Sequence, residues 1–257
     1  MTFDDFRKTS KYDIACYSGI GKREVQQDDA YIAADDSNVL IVVCDGMGGF
    51  NGGQLASKTA VEAFTEYFQY YCNKNNRDMG WMREAAERID SIVYDLKDEN
   101  GKRLGAGTTL IGLSVIGSDL HWISVGDSRV YVFRQNEMVQ LTTDHNYFYD
   151  LEQRKADGKL TEEQYKSEAE SGEALISFIG MGGLIMMDVS DAPLQLMHGD
   201  TILVCTDGVY RTVLDDEIRR IIGECGTAKE AVDVIRKVIE KRNVFSQDNF
   251  TYVVLKI

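Results

Sequence analysis

The run Leu40-Ile41-Val42-Val43-Cys44 passes straight into Asp45-Gly46-Met47-Gly48-Gly49-Phe50-Asn51-Gly52-Gly53, an apolar strand that meets an acid and then turns through glycines towards a helix. The same grammar recurs along the chain. Thr201-Ile202-Leu203-Val204-Cys205-Thr206 runs into Asp207-Gly208, Trp122-Ile123-Ser124-Val125 into Gly126-Asp127-Ser128, and Asp248-Asn249 opens an apolar run over 250–257. Further strand-like segments lie at 12–19, 30–34, 108–116 and 130–134. Short turns join most of them, which favours antiparallel pairing, because parallel neighbours need a long crossover between each pair.

Between the strands lie helical patterns at 53–75 and 79–97. In the first, Leu55, Thr59, Ala63, Phe64, Tyr67, Phe68 and Tyr71 fall at the spacing of one apolar face. A third pattern at 227–242 places Ala231, Val234, Ile235, Val238 and Ile239 on one side, behind Thr227 as the N-cap. Strand groups with helix pairs set between them predict an α+β fold in which two sheets face one another and helices cover the outside. No repeat or low-complexity linker interrupts the chain, so 1–257 reads as one domain. Within it, 146–188 reads as an insertion: polar and helical over 149–156 and 161–170, then glycine-rich at Phe178-Ile179-Gly180-Met181-Gly182-Gly183. Periodicity leaves two readings open, an ordinary helical excursion or a mobile flap beside a site.

Against 28 Lys+Arg stand 42 Asp+Glu, a formal net charge of -14, and no basic patch, which excludes general binding to a phosphate backbone. The start, Met1-Thr2-Phe3-Asp4-Asp5, carries acids where an export signal has bases, and no apolar run approaches the ~18 residues of a membrane span. The five cysteines, Cys16, Cys44, Cys72, Cys205 and Cys225, are scattered and lack Cys-x-x-Cys spacing. A cytoplasmic protein with buried free thiols is the expectation.

Each strand-end acid can be explained by turn chemistry alone. Together they point further, since facing sheets bring strand ends from distant parts of the chain to one rim. Two carboxylates ~4 Å apart repel by about 4 kcal/mol at an effective dielectric near 20, so a cluster of them protonates or holds a cation. Oxygen donors select Mg²⁺, Mn²⁺ or Ca²⁺. The three histidines, His121, His145 and His198, are too few and too dispersed for a zinc site. The glycine loop lacks the Lys-Ser/Thr ending of a P-loop and the spacing of a dinucleotide turn.

In this setting the chain resembles the metal-dependent protein serine/threonine phosphatases of the 2C type, in their bacterial form. The resemblance rests on Arg23-Glu24-Val25-Gln26-Gln27-Asp28, Asp45-Gly46-Met47-Gly48-Gly49, Gly107-Thr108-Thr109, Val125-Gly126-Asp127-Ser128-Arg129, the Leu141 to His145 run, Asp207-Gly208 and Asp248-Asn249, in order along nearly the whole chain. It implies a four-layer αββα sandwich of two antiparallel sheets flanked by helix pairs, with a flap at about 146–188. It also implies two Mn²⁺ or Mg²⁺ ions and a third, weaker metal site. Carried over by position, Asp45 bridges the two ions, the Gly46 carbonyl binds one, and Asp207 and Asp248 hold the other. Asp28 orients a metal-bound water, Asp127 helps hold the third ion, and Arg23 grips the substrate phosphate. The implied reaction is hydrolysis of phosphoserine and phosphothreonine in proteins by direct attack of a metal-bridging water.

Two departures stand out. Gln26-Gln27-Asp28 replaces the family's usual Asn followed by Glu or Gln and then Asp, and Met47 stands where many eukaryotic relatives carry a histidine. The partners implied are phosphorylated protein substrates and a cognate Ser/Thr kinase, without nucleic acid or membrane span, and the expected assembly is a monomer. Competing readings are a catalytically silent member serving as a binding module, and a phosphatase for small phosphorylated metabolites. His121 and His198 are expected in core or turn roles, and His145 outside the chemistry.

Overall fold

The computed structural model describes residues 3–49, 52–73 and 79–257. Phe50 and Asn51 of the glycine loop, the last two residues of the first expected helix and the side chain of Cys72 lie outside that description. One sheet has six strands in the order β1 (Phe3–Lys8), β2 (Asp13–Gly19), β13 (Phe250–Lys256), β12 (Thr201–Cys205), β8 (Arg129–Arg134) and β9 (Glu137–Gln140). The other runs β10 (Asp188–Val189), β7 (Asp119–Val125), β6 (Leu110–Ile116), β4 (Asn38–Met47) and β3 (Asp28–Ala34), with β5 (Gly107–Thr108) on β4 and β11 (Leu194–Gln195) on β7. Every pairing is antiparallel, as the short turns predict.

Alternation along each strand sends side chains into two different apolar layers. Val39, Ile41 and Val43 of β4 meet Ile14 and Cys16 of β2, Val253 and Leu255 of β13 and Ile202 and Val204 of β12 between the sheets. The intervening Leu40, Val42 and Cys44 pack instead under α1 (Gly52–Asn73) and α2 (Trp81–Tyr94), with Phe64 and Met82 fully buried there. On the far side, Ala15, Tyr17, Tyr252 and Val254 lie under α6 (Asp215–Glu224) and α7 (Ala228–Arg242). Both faces of the central strands are therefore covered, and their unbroken apolar runs follow from it. The four-layer αββα sandwich is borne out.

Local detail corrects several expectations. The buried stripe of α1 is Ala56, Ala60, Val61 and Phe64, whereas Leu55 is exposed, so the inward face is turned by about one residue from the expected one. Strand β4 does not stop at Cys44 but continues through Asp45 and Gly46 to Met47, because β3 and β5 both supply partners there. Segment 108–116 breaks at Thr109 into β5 and β6. The second helix stops at Tyr94, short of 97. Thr227 caps α7 as expected, its hydroxyl accepting from the Glu230 N–H at 3.1 Å. Segment 146–188 carries α3 (Tyr147–Ala156), α4 (Glu162–Glu168) and a 3-10 turn at Ala169–Ser171. Its glycine-rich end is held to the body: Asp90 of α2 accepts from the amides of Gly180 at 2.7 Å, Met181 at 3.0 Å and Gly182 at 3.3 Å.

Candidate metal centre and phosphate cleft

Strand β4 carries Asp45 to the rim of the sandwich, and three hydrogen bonds with two threonines fasten its backbone. Its N–H donates to Thr109 Oγ1 at 2.9 Å, while its carbonyl accepts from the Thr108 hydroxyl at 2.9 Å and the Thr109 N–H at 2.8 Å. Thr109 Oγ1 is in turn 2.8 Å from Ser128 Oγ, which ties the Gly107-Thr108-Thr109 segment to the turn that carries Asp127. Gly46 must be glycine, since a Cβ there would fall 2.1 Å from the Gly53 carbonyl oxygen and 2.5 Å from that of Gln27. The start of α1 thus sits directly on the acid-bearing strand.

The register of β3 against β4 sets Asp28 opposite Asp45. Asp28 is buried; its Oδ2 accepts from the Thr206 hydroxyl at 3.0 Å, and its Oδ1 has no partner. Asp207 follows Thr206 as the first residue of α5 (Asp207–Tyr210), and its Oδ1 is likewise buried without a partner. Asp248 meets Arg23, whose Nη2 donates to its Oδ2 at 2.6 Å. Asp127, in the turn between β7 and β8, is buried with Arg211 Nη2 at 3.4 Å and the Tyr210 hydroxyl at 3.3 Å from its Oδ2.

A cleft of about 330 Å³ joins these groups, lined by Arg23, Asp45, Gly46, Asp127, Asp207 and Asp248 among others. Of the residues expected at the site only Asp28 is outside its lining; it stands just behind, on a separate cavity with Ser18, Gln26 and Asp29. Electrostatics reports the crowding. Burial, then the charge of Asp28, pushes Asp45 well above the usual carboxylate range. Burial pushes Asp28 up to about 7, with Asp207 and Asp248 adding to it, and Asp127 up to about 6, with Asp207 adding to it. Asp207 is also raised by burial, although Arg211 opposes the shift. Among the described residues no three acids already converge as a closed ligand set, because guanidinium groups of Arg23 and Arg211 hold several of them. The donor chemistry nonetheless fits a hard divalent cation: all oxygen, acidic, with two buried carboxylate oxygens lacking any other partner.

The departures from the family pattern resolve into geometry. Gln26 Oε1 accepts from the Asp28 N–H at 3.2 Å and its Nε2 donates to Ser18 Oγ at 2.8 Å, so it braces the acid. Gln27 donates its N–H to Asn249 Oδ1 at 2.8 Å and its Nε2 to the Gly48 carbonyl at 3.1 Å, lacing β3 to the glycine loop. Met47 lines the cleft and offers no proton. The histidines stay out of the cleft: His121 lies within β7 and His198 in the exposed turn before Asp200, while His145 is fully buried, its Nδ1 accepting from the Gly126 N–H at 3.1 Å. Thr206, Thr109, Tyr210 and Arg211 were not legible as site residues. For Arg211 a signal exists, since it stands four residues after Asp207 and a helical turn there brings the pair together.

Comparison with known proteins places the fold in a family. The family model described as Protein phosphatase 2C matches residues 17–240. The Serine/threonine phosphatase stp of Listeria monocytogenes is 26% identical over 224 residues, covering 86% of this chain and 85% of that protein. Protein phosphatase PhpP of Streptococcus pneumoniae is 30% identical over 184 residues, covering 71% and 72%. Among solved structures, the S. agalactiae serine/threonine phosphatase superposes with a TM-score of 0.79 at 23% identity, covering 96% and 99%. The catalytic domain of the serine threonine protein phosphatase PstP, solved in complex with two manganese ions, gives 0.73 at 24% identity, covering 95% and 97%. Two packed antiparallel sheets flanked by helices are the fold of these solved phosphatases. The chain belongs to the protein phosphatase 2C family.

Proposed function

We propose that the cleft hydrolyses phosphoserine and phosphothreonine side chains with two Mn²⁺ or Mg²⁺ ions held by Asp45, the Gly46 carbonyl, Asp207 and Asp248, and that the enzyme opposes a Ser/Thr kinase. The observation that supports it is that Asp45, Asp207 and Asp248 line one cleft with Arg23, while Asp28 stands behind it, and that Asp28 and Asp207 each keep a buried carboxylate oxygen without a partner. Bound divalent ions supply positive charge for the phosphoryl oxygens and a nucleophilic water at neutral pH.

The chain's own residues do the rest. Thr108 and Thr109 hold Asp45 in place, so the acid is preorganised. Asp28, fixed by Thr206 and pushed up to about 7 by burial, stands where it can hold and orient water behind the cleft. Arg23 carries a planar fork suited to equatorial phosphoryl oxygens; more than half exposed, it can exchange Asp248 for a phosphate. Met47 provides no proton for the leaving alkoxide, so no side chain at that position acts as general acid.

The test is the initial rate on a phosphothreonine peptide with Mn²⁺, with chelator, and with Mn²⁺ after Asp207→Asn. Dependence on metal and a loss of at least ~10²-fold in the variant are expected. Folded wild-type protein that is inactive with both Mn²⁺ and Mg²⁺ would sink the proposal. Faster turnover of small phosphate esters than of the peptide would move the substrate to metabolites.

A further inference from the structure

The acids of the site are satisfied differently. Asp28, behind the cleft, and Asp207, within it, each keep a buried oxygen, Oδ1, with no partner. Asp127 Oδ2, by contrast, has the Arg211 Nη2 at 3.4 Å and the Tyr210 hydroxyl at 3.3 Å, and the same hydroxyl lies 3.1 Å from the Asp127 carbonyl oxygen. Arg211 reaches this place through the local fold. It follows α5 directly, its N–H donating to the Asp207 carbonyl at 3.0 Å, and its Nε is 3.0 Å from Asp207 Oδ2. Its Nη1 completes the fork on Glu173 Oε2 at 2.6 Å, in the segment leading from α4 towards the glycine-rich stretch.

Tyr210 is held as firmly. The Arg129 guanidinium lies over its ring at 3.6 Å from the centroid, and Arg129 is itself forked on Asp144, with Nη2 to Oδ2 at 2.7 Å and Nε to Oδ1 at 3.0 Å. Asp127 is therefore met by donors that are braced from behind. A guanidinium in contact with Asp127, Asp207 and Glu173 answers three carboxylates with one fixed charge. A dication brought to Asp127 would face that charge at close range.

We infer that Arg211 is a built-in cation that serves Asp127 in place of a third metal ion, so that this cleft takes two ions. The inference rests on the two-ion reading above and deepens it. It also departs from the third site that the family resemblance implies.

Mn²⁺ titration of the chelator-treated full chain by calorimetry, with metal content measured after dialysis, tests it without recourse to activity. Wild type is expected to bind two ions per chain up to millimolar Mn²⁺. Arg211→Gln is expected to gain a third ion, at least ~10-fold tighter than any third event in wild type, while Arg211→Lys, which keeps the charge, stays near wild type. Adding Asp127→Asn to Arg211→Gln removes the gained ion. Three ions in wild type with no change in Arg211→Gln, or two ions in both, overturns the role of Arg211 alone. No bound ion in the wild type overturns the metal-centre reading and this inference with it. If Arg211→Gln fails to fold by thermal melt, Asp127→Asn in the otherwise native chain decides: the count stays at two, and a fall in it overturns the inference.

Discussion

Val43 and Asp45 stand two positions apart on β4, with Cys44 between them, and the two side chains live in opposite energetic regimes. Val43 is fully buried between the sheets, in one apolar cluster with Ile14, Ile111 and Val253. Asp45 is held at the rim by Thr108 and Thr109, where burial pushes its carboxyl up and four further acids, Asp28, Asp207, Asp127 and Asp248, add to it. The core spends its apolar surface on stability, whereas the rim keeps charges close together that, without a cation, count against the fold. Function is built where the strand leaves the core, and the stiffness of the core makes the strained rim tolerable.

The largest effect belongs to the core side of that contrast. Ile41→Ala removes a fully buried side chain between the sheets and should cost about 2–5 kcal/mol, which a denaturant titration measures directly. Metal affinity should change far less than stability, because Asp45 is fixed by threonines rather than by Ile41. A large fall in Mn²⁺ affinity with little loss of stability would break the division between core and rim.

A smaller effect, of opposite character, comes from the rim. The folded-state carboxyl of Asp28 is raised from 3.8 to about 7, so between those values the folded chain binds more protons than the unfolded one. Its stabilising contribution in the metal-free protein is therefore full below about pH 4 and lost as pH rises through about 7. Other acids, Asp188 among them, are lowered and lose stability in acid instead, so the contribution is read as the difference between wild type and Asp28→Asn. Melting curves of the two proteins should converge in acid and separate towards neutrality, with the variant more stable, and saturating Mn²⁺ should reverse the order. Parallel curves would sink the assignment of strain to Asp28.

How much of this was legible in the sequence follows the same division. The apolar runs of β4, β12 and β13 announce themselves because both of their faces are buried, and the acids after them mark the rim. The facing of α1 was misread because Leu55, although apolar, is exposed, while Ala56 and Ala60 do the packing where the helix comes close to the sheet. Helix α6 escaped because Asp215-Asp216-Glu217 reads as loop and only Ile218, Ile221 and Ile222 carry its buried face. Thr206, and the contact of Arg211 with Asp127, are hidden for another reason. Their partners, Asp28 and Asp127, are distant in sequence, and only the packing of strands brings them together.

The smallest of the expected effects tests the segment over the cleft rather than the cleft itself. Asp90, buried in α2, gives one carboxylate oxygen to the amides of Gly180, Met181 and Gly182, and thereby ties the glycine-rich end of 146–188 to the body of the fold. In Asp90→Asn the amide oxygen can still accept from the same three amides but carries no charge. The cost should be about 1 kcal/mol in global stability, with faster hydrogen exchange confined to residues 180–182 and their neighbours. If the core and the rim are separable as the contrast between Val43 and Asp45 holds, Mn²⁺ affinity in this variant stays at the wild-type value while the exchange rates rise. A matched loss of metal affinity would mean that this anchor reaches the acids, and that the rim extends into the fold as far as α2.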